Sequence, residues 1–400
     1  VLSLKAIKHL KQQKYMKHSD QIPIVSFFSG GGFLDMGFEM AGFKTVFSNE
    51  IDKDFAQFYK EGMSSWSSEK REISAISDIY EVSTGDVKAL VNGRFGIIGG
   101  PPCQDFSIQG SKNGFDGLRG TLTYHYYERI MDLQPDFFLM ENVPGLVLLK
   151  KTKKAFNEIL DLFREEYLIS TERLNALHYG VPQNRERFFV FGVKKSLVKD
   201  PTLYTLNDLW FNWPVPTYSN AESSYNWGEP NGKDFVKKKL PDPPPELCIG
   251  GLLISDADKL AIPNANEYFK LKNLSKISKI AEGDTYRPSF KRLHRIKYSP
   301  TACYGNNEVH LHPVYDRRLS VREALRIQGV PDSYVISTNG KLSKKFKMIG
   351  NGVPVPVAHQ IALSIKKFLN ELEQYKSKMN GLLVKVRTRP SDVNNPVKER

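Results

Sequence analysis

Cys103 and Glu141 lie 38 positions apart, and each follows a short apolar run. A thiol held by Pro101 and Pro102, just beyond Phe95-Gly96-Ile97-Ile98, reads as a nucleophile presented at the end of a buried strand. A carboxylic acid directly after Phe137-Phe138-Leu139-Met140 could protonate whatever that thiol attacks. Together they suit addition to an electron-poor heteroaromatic ring. Each residue alone has a plainer account. A free cysteine is commonly a small buried hydrophobe, and a lone acid is commonly a surface residue. Context favours chemistry. Gln104-Asp105-Phe106-Ser107 exits into a polar loop punctuated by Gly110, Gly114, Gly117 and Gly120, a segment that could close over a substrate. An acid after four apolar residues is costly unless paired or functional.

Three further motifs bear on what sits beside that pair. Phe28-Ser29-Gly30-Gly31-Gly32-Phe33 follows an apolar run and opens a helical pattern. Glycines there let backbone approach a ligand, although such turns are also common for structural reasons alone. Asn49-Glu50-Ile51-Asp52 ends the next β-like run, where a carboxylate can accept both hydroxyls of a ribose. Asp78 could take an adenine amino group. No Gly-x4-Gly-Lys-Ser/Thr phosphate loop occurs, so the pattern favours a nucleoside cofactor without phosphates, of which S-adenosylmethionine is the commonest. Gln183-Asn184-Arg185-Glu186-Arg187 places two arginines one residue apart at a strand entrance, facing one way. One could hold Glu141, or both could belong to a surface ion-pair ladder. Gly350-Asn351-Gly352-Val353-Pro354-Val355 precedes the last helix and can return backbone amides to the same pocket.

These motifs need strand ends to stand on. Strands are expected at Ile24–Phe28, Lys44–Ser48, Gly96–Ile98, Phe137–Met140 and Arg187–Val193. Helices are expected at Leu34–Ala41, Asp52–Tyr59, Tyr124–Asp132 and Lys154–Glu166, with a last helix from Val357 to about Gln374. Alternation of this kind predicts an α/β fold with a doubly wound, mostly parallel sheet. Ligands of such sheets bind beyond the carboxyl ends of the strands, where each motif falls. Past residue 199 the chain turns rich in proline and tryptophan, which predicts a smaller, loop-rich second lobe. The expected division is a basic extension (1–21), a catalytic and cofactor-binding domain (22–197), a second domain with hinge (198–345), a return segment completing the first (346–375) and a polar tail (376–400).

Composition bounds the partners. Lys and Arg total 57 against 44 acids, for a net charge of +13. Residues 270–297 carry nine Lys/Arg and two acids, Glu282 and Asp284, a field suited to phosphate neutralisation or to a merely solvated face. No apolar run approaches the roughly 20 residues that cross a bilayer, and residues 1–20 lack the apolar core of a secretory signal. Cys103, Cys248 and Cys303 share no disulfide or metal-ligand spacing, so no metal is expected and a reducing cytoplasm is.

In order and spacing these motifs resemble the cytosine-5 DNA methyltransferase family of bacterial restriction-modification systems, from Ile24 to about Leu369. The likeness rests on Phe28-Ser-Gly30, Asn49-Glu50, Asp78, Gly100-Pro-Pro-Cys-Gln104, Glu141-Asn-Val143, Gln183 to Arg187, Arg318-Leu-Ser-Val-Arg-Glu323 and Gly350-Asn-Gly352. It departs at Phe33, where the family's turn usually has glycine. The resemblance implies a Rossmann-like S-adenosylmethionine-dependent fold whose second lobe is a target-recognition domain. It implies that Cys103 is the nucleophile, that Glu141 protonates cytosine N3, and that Arg187 supports the base carbonyl and Glu141 with Arg185 nearby. Phe28, Gly30, Gly32, Glu50, Ile51, Asp78, Pro102, Asn351 and Val353 would line the S-adenosylmethionine site. Segment 318–323 would brace the second lobe. Ser107, Gln109, Lys291, Arg292 and Arg295 are the candidate DNA contacts, Gln109 as the side chain filling the stack vacated by a flipped base. Double-stranded DNA is the expected partner of a cytoplasmic bacterial monomer, with a cognate endonuclease acting on the same site. An RNA cytosine-5 methyltransferase would share the Cys103 chemistry but carry a shorter second lobe. An inactive binding relative would have no need of Cys103, Glu141 and Arg187.

Overall fold

The computed structural model describes residues 21–91, 93–102, 121–198, 200–201, 210–229, 240–271, 274–301, 304 and 309–387, with side chains to residue 375 apart from that of Lys151. Cys103, Ser107 and Gln109 lie outside the described residues.

In chain order the main elements are β1 (Ile22–Phe27), α1 (Phe33–Met40), β2 (Phe43–Asn49), α2 (Lys53–Ser67), α3 (Thr84–Leu90) and β3 (Gly96–Gly99). Then come α4 (Leu122–Leu133), β4 (Phe137–Asn142), α5 (Gly145–Leu148), α6 (Lys150–Glu166), β5 (Tyr167–Asn175) and β6 (Glu186–Lys194). A two-stranded ribbon follows, β7 (Lys291–Arg292) with β8 (His310–Leu311), and then α7 (Val321–Ile327), α8 (Leu342–Asn351) and α9 (Val355–Arg387). The large sheet has the order β2-β1-β3-β4-β6-β5. β2, β1, β3 and β4 pair in parallel; β6 runs antiparallel to both β4 and β5.

The expected doubly wound α/β sheet is present, and side-chain alternation explains its two covered faces. Ile24, Ile98, Phe137 and Leu139 point to one side, joining Phe38 of α1 and Ile361 of α9. Their neighbours Val25, Ile97, Phe138 and Met140 point to the other, joining Ile130 of α4 and Phe163 of α6. Strands buried on both faces read as continuous apolar runs, which is what these are.

Packing crosses the expected domain boundaries. Trp210, Phe211 and Trp213 sit in the first core with α9. Tyr334, Val321 and Leu325 share a core with Phe33 and Phe58. Residues 321–345 therefore pack on α1 and α2 although they fall inside the expected second domain. The long helix α9 also runs to Arg387, through what was expected to be a polar tail from 376.

Asp35 lies wholly buried in α1, accepting from Ser26 Oγ at 2.7 Å and Tyr59 OH at 2.9 Å. Burial pushes its carboxyl up to about 7, against the two hydroxyl donors. A folded-state value above the unfolded one of about 3.9 means that this group's contribution is full below about pH 4. It is lost as pH rises through about 7. The melting temperature should fall between about pH 4 and 7, and Asp35→Asn should flatten part of that fall. A constant offset between variant and wild type across this range would contradict the assignment.

Candidate active site

Four strand ends converge on one cleft of about 200 Å³. It lies at the β1/β3 reversal of strand order, where open α/β sheets bind ligands. β1 delivers Phe28 to Gly31, β2 delivers Asn49 to Ile51, β3 delivers Gly100 and Pro102, and β4 delivers Glu141.

The turn after β1 is left-handed three times, at Phe28 (φ 55°), Gly30 (φ 54°) and Gly32 (φ 79°). Gly30 N–H donates to Glu50 Oε2 at 2.9 Å and Asp52 N–H to Glu50 Oε1 at 2.8 Å. The two amides fix the carboxylate between β1 and β2. Burial pushes Glu50 above the ordinary glutamate range, opposed by those amides. Asn49 Nδ2 donates to the carbonyls of Ala75 (3.2 Å) and Ser77 (2.9 Å), which draws Asp78 to the same rim. Ile51 leaves 58% of its surface exposed there, an apolar platform beside two carboxylates. Of the expected cofactor residues, Phe28, Gly30, Glu50, Ile51, Asp78, Pro102, Asn351 and Val353 all line the cleft. Gly32 does not: it precedes α1, and a Cβ there would meet Tyr59 and Met63 at 2.8 and 2.9 Å. Phe33 belongs to the lining, its ring 5.5 Å from that of Tyr334, whose hydroxyl donates to Gly31 O at 2.8 Å.

Glu141 is the fifth residue of β4, inside the strand and 8% exposed. Arg187 of β6 pairs with it, Nε to Oε1 at 3.0 Å. The antiparallel β4–β6 register brings the two strands' ends together, setting Glu141 opposite Phe189. Burial pushes the Glu141 carboxyl up; Arg187, then Arg185, pull it back. Gly100 is required by contact, because a Cβ there would stand 2.8 Å from Glu141 Oε2. Asn142 donates from Nδ2 to Pro101 O at 3.0 Å, tying the diproline that precedes Cys103 to the acid's own strand.

Arg185 is 1% exposed and, besides its charge acting on Glu141, has a second task. Its Nη2 donates to Gly350 O (2.7 Å) and Gly352 O (3.0 Å), anchoring the return segment that carries Asn351 and Val353. Gln183 donates to Gln328 Oε1 at 3.2 Å, and Gln328 to Ile349 O at 2.7 Å, extending the same anchor. Sequence reasoning assigns no role to Gly100, Asn142, Gln328 or Tyr334. Gly100 and Asn142 stand inside sequence motifs, whereas Gln328 and Tyr334 carry no local signal.

In segment 318–323, Ser320 and Glu323 form a capping box on α7. Arg317 clasps Glu323 with both terminal nitrogens, at 2.7 and 2.9 Å. Glu323 also accepts from Ile254 N–H at 3.0 Å, which joins α7 to a loop of the second lobe. The candidate DNA contacts divide. Arg292 must be corrected: it is 3% exposed and donates to His312 O (3.0 Å), Ile277 O (2.9 Å) and Asp316 Oδ1 (2.6 Å). Its guanidinium holds three loops together, which takes it out of reach of a phosphate. Arg295 is exposed and forks onto Glu282 at 3.0 Å. Lys291 lines an open groove with Asn184, Glu186, Tyr286 and Lys297. Among the described residues no cluster of three or more His, Cys, Asp or Glu is placed to hold a metal, and no helix is long and apolar enough to cross a membrane.

Residues 22–367 match the family described as C-5 cytosine-specific DNA methylase. The chain is 38% identical over 368 residues to the Type II methyltransferase M.NmeDI of Neisseria meningitidis serogroup C, covering 88% of this chain and 86% of that one. It is 32% identical over 370 residues to the Type II methyltransferase M.FnuDI of Fusobacterium nucleatum, covering 89% and 97%. A solved structure of a protein encoded within an E. coli prophage superposes with a TM-score of 0.60 at 26% identity, covering 88% of this chain and all of that one. With a family match spanning most of its length and a cleft built from the same motifs, the chain belongs to the C-5 cytosine-specific DNA methylases.

Proposed function

We propose that the protein transfers a methyl group from S-adenosylmethionine to carbon 5 of a cytosine flipped out of double-stranded DNA, through a transient bond from Cys103. The observation that carries this reading is the shared cleft: the Glu141–Arg187 pair opens into the same space that Glu50, Ile51 and Asp78 line. The residues there fit a phosphate-free nucleoside. Glu50 retains lone pairs for ribose hydroxyls, Asp78 can accept from an amino group, and Ile51 offers an exposed apolar face. When bound there, S-adenosylmethionine supplies the activated methyl group that carbon 5 receives.

The chain's own residues prepare the base. Cys103 thiolate adds to carbon 6, and the electron pair of the 5,6 bond shifts into the ring as Glu141 gives its proton to N3. The result is an enamine nucleophilic at carbon 5. After methylation a base removes the carbon-5 proton, the electrons expel Cys103 as thiolate, and N3 returns its proton to Glu141, which restores the neutral aromatic ring and resets the acid. Glu141 suits proton donation because burial favours its neutral form, while Arg187 orients it. Carbon 6 is shielded within a stacked duplex, so the base must swing out, at a cost of a few kcal/mol. Ser107 and Gln109 on the segment after Cys103, with Lys291 and Arg295, are the proposed DNA contacts. As the Type II names of its relatives suggest, we infer a bacterial cytoplasmic monomer that protects DNA against a cognate endonuclease.

The test is a duplex carrying 5-fluorocytosine, incubated with S-adenosylmethionine. Fluorine cannot leave as a proton does, so the protein should be trapped as a covalent complex stable to denaturation, and the trapped position reports the sequence read. Absence of any trapped species on duplexes that the protein binds and methylates in unmodified form would refute the covalent route.

A further inference from the structure

We propose that a lysine cluster at the start of α6 (Lys150, Lys153 and Lys154) grips the DNA backbone on the catalytic-domain side of the cleft, opposite the basic second lobe. This inference rests on the reading above that duplex DNA is the substrate.

The sequence there is Leu148-Leu149-Lys150-Lys151-Thr152-Lys153-Lys154. Topology fixes where it lies. β4 ends at Asn142, and β5 runs parallel to β4 because both are antiparallel to β6. α6 must therefore start at the carboxyl edge of the sheet and run back to the other edge. Its first turn stands on the rim that holds Glu141. Thr152 pins it, donating from Oγ1 to Leu146 O at 2.9 Å and Gly145 O at 3.1 Å, so the lysines move as one body with the loop that follows the acid.

Helix stability does not explain these charges. Cations belong at helix C-termini, where they complement the dipole, and these occupy the first turn of a helix with no acid there and no side-chain cap. Lys150, Lys153 and Lys154 are exposed, and none forms an ion pair among the described residues. α6 spends its apolar face elsewhere: Phe156, Ile159, Leu160 and Phe163 are in the core. Beside the lysines, Leu148 and Leu149 each leave 60% of their surface uncovered. Unpaired cations set against a dipole, on the rim above a site for a polyanion's base, have a natural counter-charge in phosphate. Lys291 lines a groove with Asn184 and Glu186, at the start of β6, so the duplex would be held by cations of both lobes while one base leaves the stack.

The test replaces all three lysines by glutamine and measures duplex affinity between about 50 and 200 mM salt. The slope of log affinity against log salt should become shallower by about 0.9 for each phosphate no longer neutralised, that is by roughly 2 to 3. Affinity should fall equally for duplexes with and without the recognised sequence, because backbone contacts position and do not read. Turnover at saturating DNA and trapping by 5-fluorocytosine should be unchanged. The triple Lys→Arg variant should keep the wild-type slope. An unaltered slope in the glutamine variant overturns the proposal. If the triple variant melts early, the single exposed Lys153→Gln should still reduce the slope by about 0.9, and no reduction again overturns it. Wild-type protein that neither binds nor is trapped would instead defeat the reading of DNA as substrate.

Discussion

Cys103→Ala is expected to lower methyl transfer to duplex DNA by about 10⁴-fold or more, the scale on which removing a covalent nucleophile acts. Carbon 5 of cytosine lies in an aromatic ring and attacks a methyl donor poorly until carbon 6 carries a thiolate. Among the described residues next to the diproline, Glu141 is committed to Arg187 and Asn142 to Pro101, and neither is a nucleophile that could substitute. The variant should still bind duplex and cofactor, since the diproline is positioned by the Asn142 bond to backbone and Glu50 by backbone amides. Radiolabelled methyl transfer and a gel shift on the same preparation decide it. Residual turnover above about one hundredth of wild type would show that the thiol is not the nucleophile.

The central parallel strands were legible because β3 and β4 are buried on both faces and carry the apolar runs Ile97-Ile98 and Phe137 to Met140. The edge strand β2, with Lys44 exposed, was read from its β-branched and aromatic residues. β5 was not. Tyr167-Leu-Ile-Ser-Thr-Glu-Arg-Leu-Asn175 follows α6 without a turn residue, and its second half is amphipathic. With β5 unseen, no local pattern indicates the direction of β6. Only the ten residues between these strands, too few for a parallel crossover, force the antiparallel return. That reversal is what places Arg187 against Glu141. The rim of the cleft was readable because short motifs at strand ends report local chemistry, and Phe28, Glu50 and Asp78 all line it. Arg292 misled because charge in a sequence does not say whether a guanidinium faces water or a ring of carbonyls. Arg185 meets Gly350 and Gly352, 165 and 167 positions away, and such long-range partners leave no local trace.

Glu141→Gln should lower kcat by about 10² to 10⁴-fold with little change in KM for DNA, the range assigned to general-acid catalysis. The glutamine amide can still donate a hydrogen bond to cytosine N3 and accept one from Arg187, but it cannot transfer a proton. The pH profile separates proton transfer from positioning. In the wild type, burial raises the Glu141 value, and Arg187 and Arg185 lower it. The acid form is present below that value and lost above it, so kcat should carry an alkaline limb. Glu141→Gln should remove the limb. Arg187→Ala, which deletes the closest positive charge, should move it to higher pH, since nothing then offsets burial as strongly. A shift to lower pH, or an unchanged limb in the glutamine variant, would mean that another group protonates the ring. Glu141 would then be left as an electrostatic partner of Arg187, and the proton would have to come from a residue outside the strand end where β4 and β6 meet.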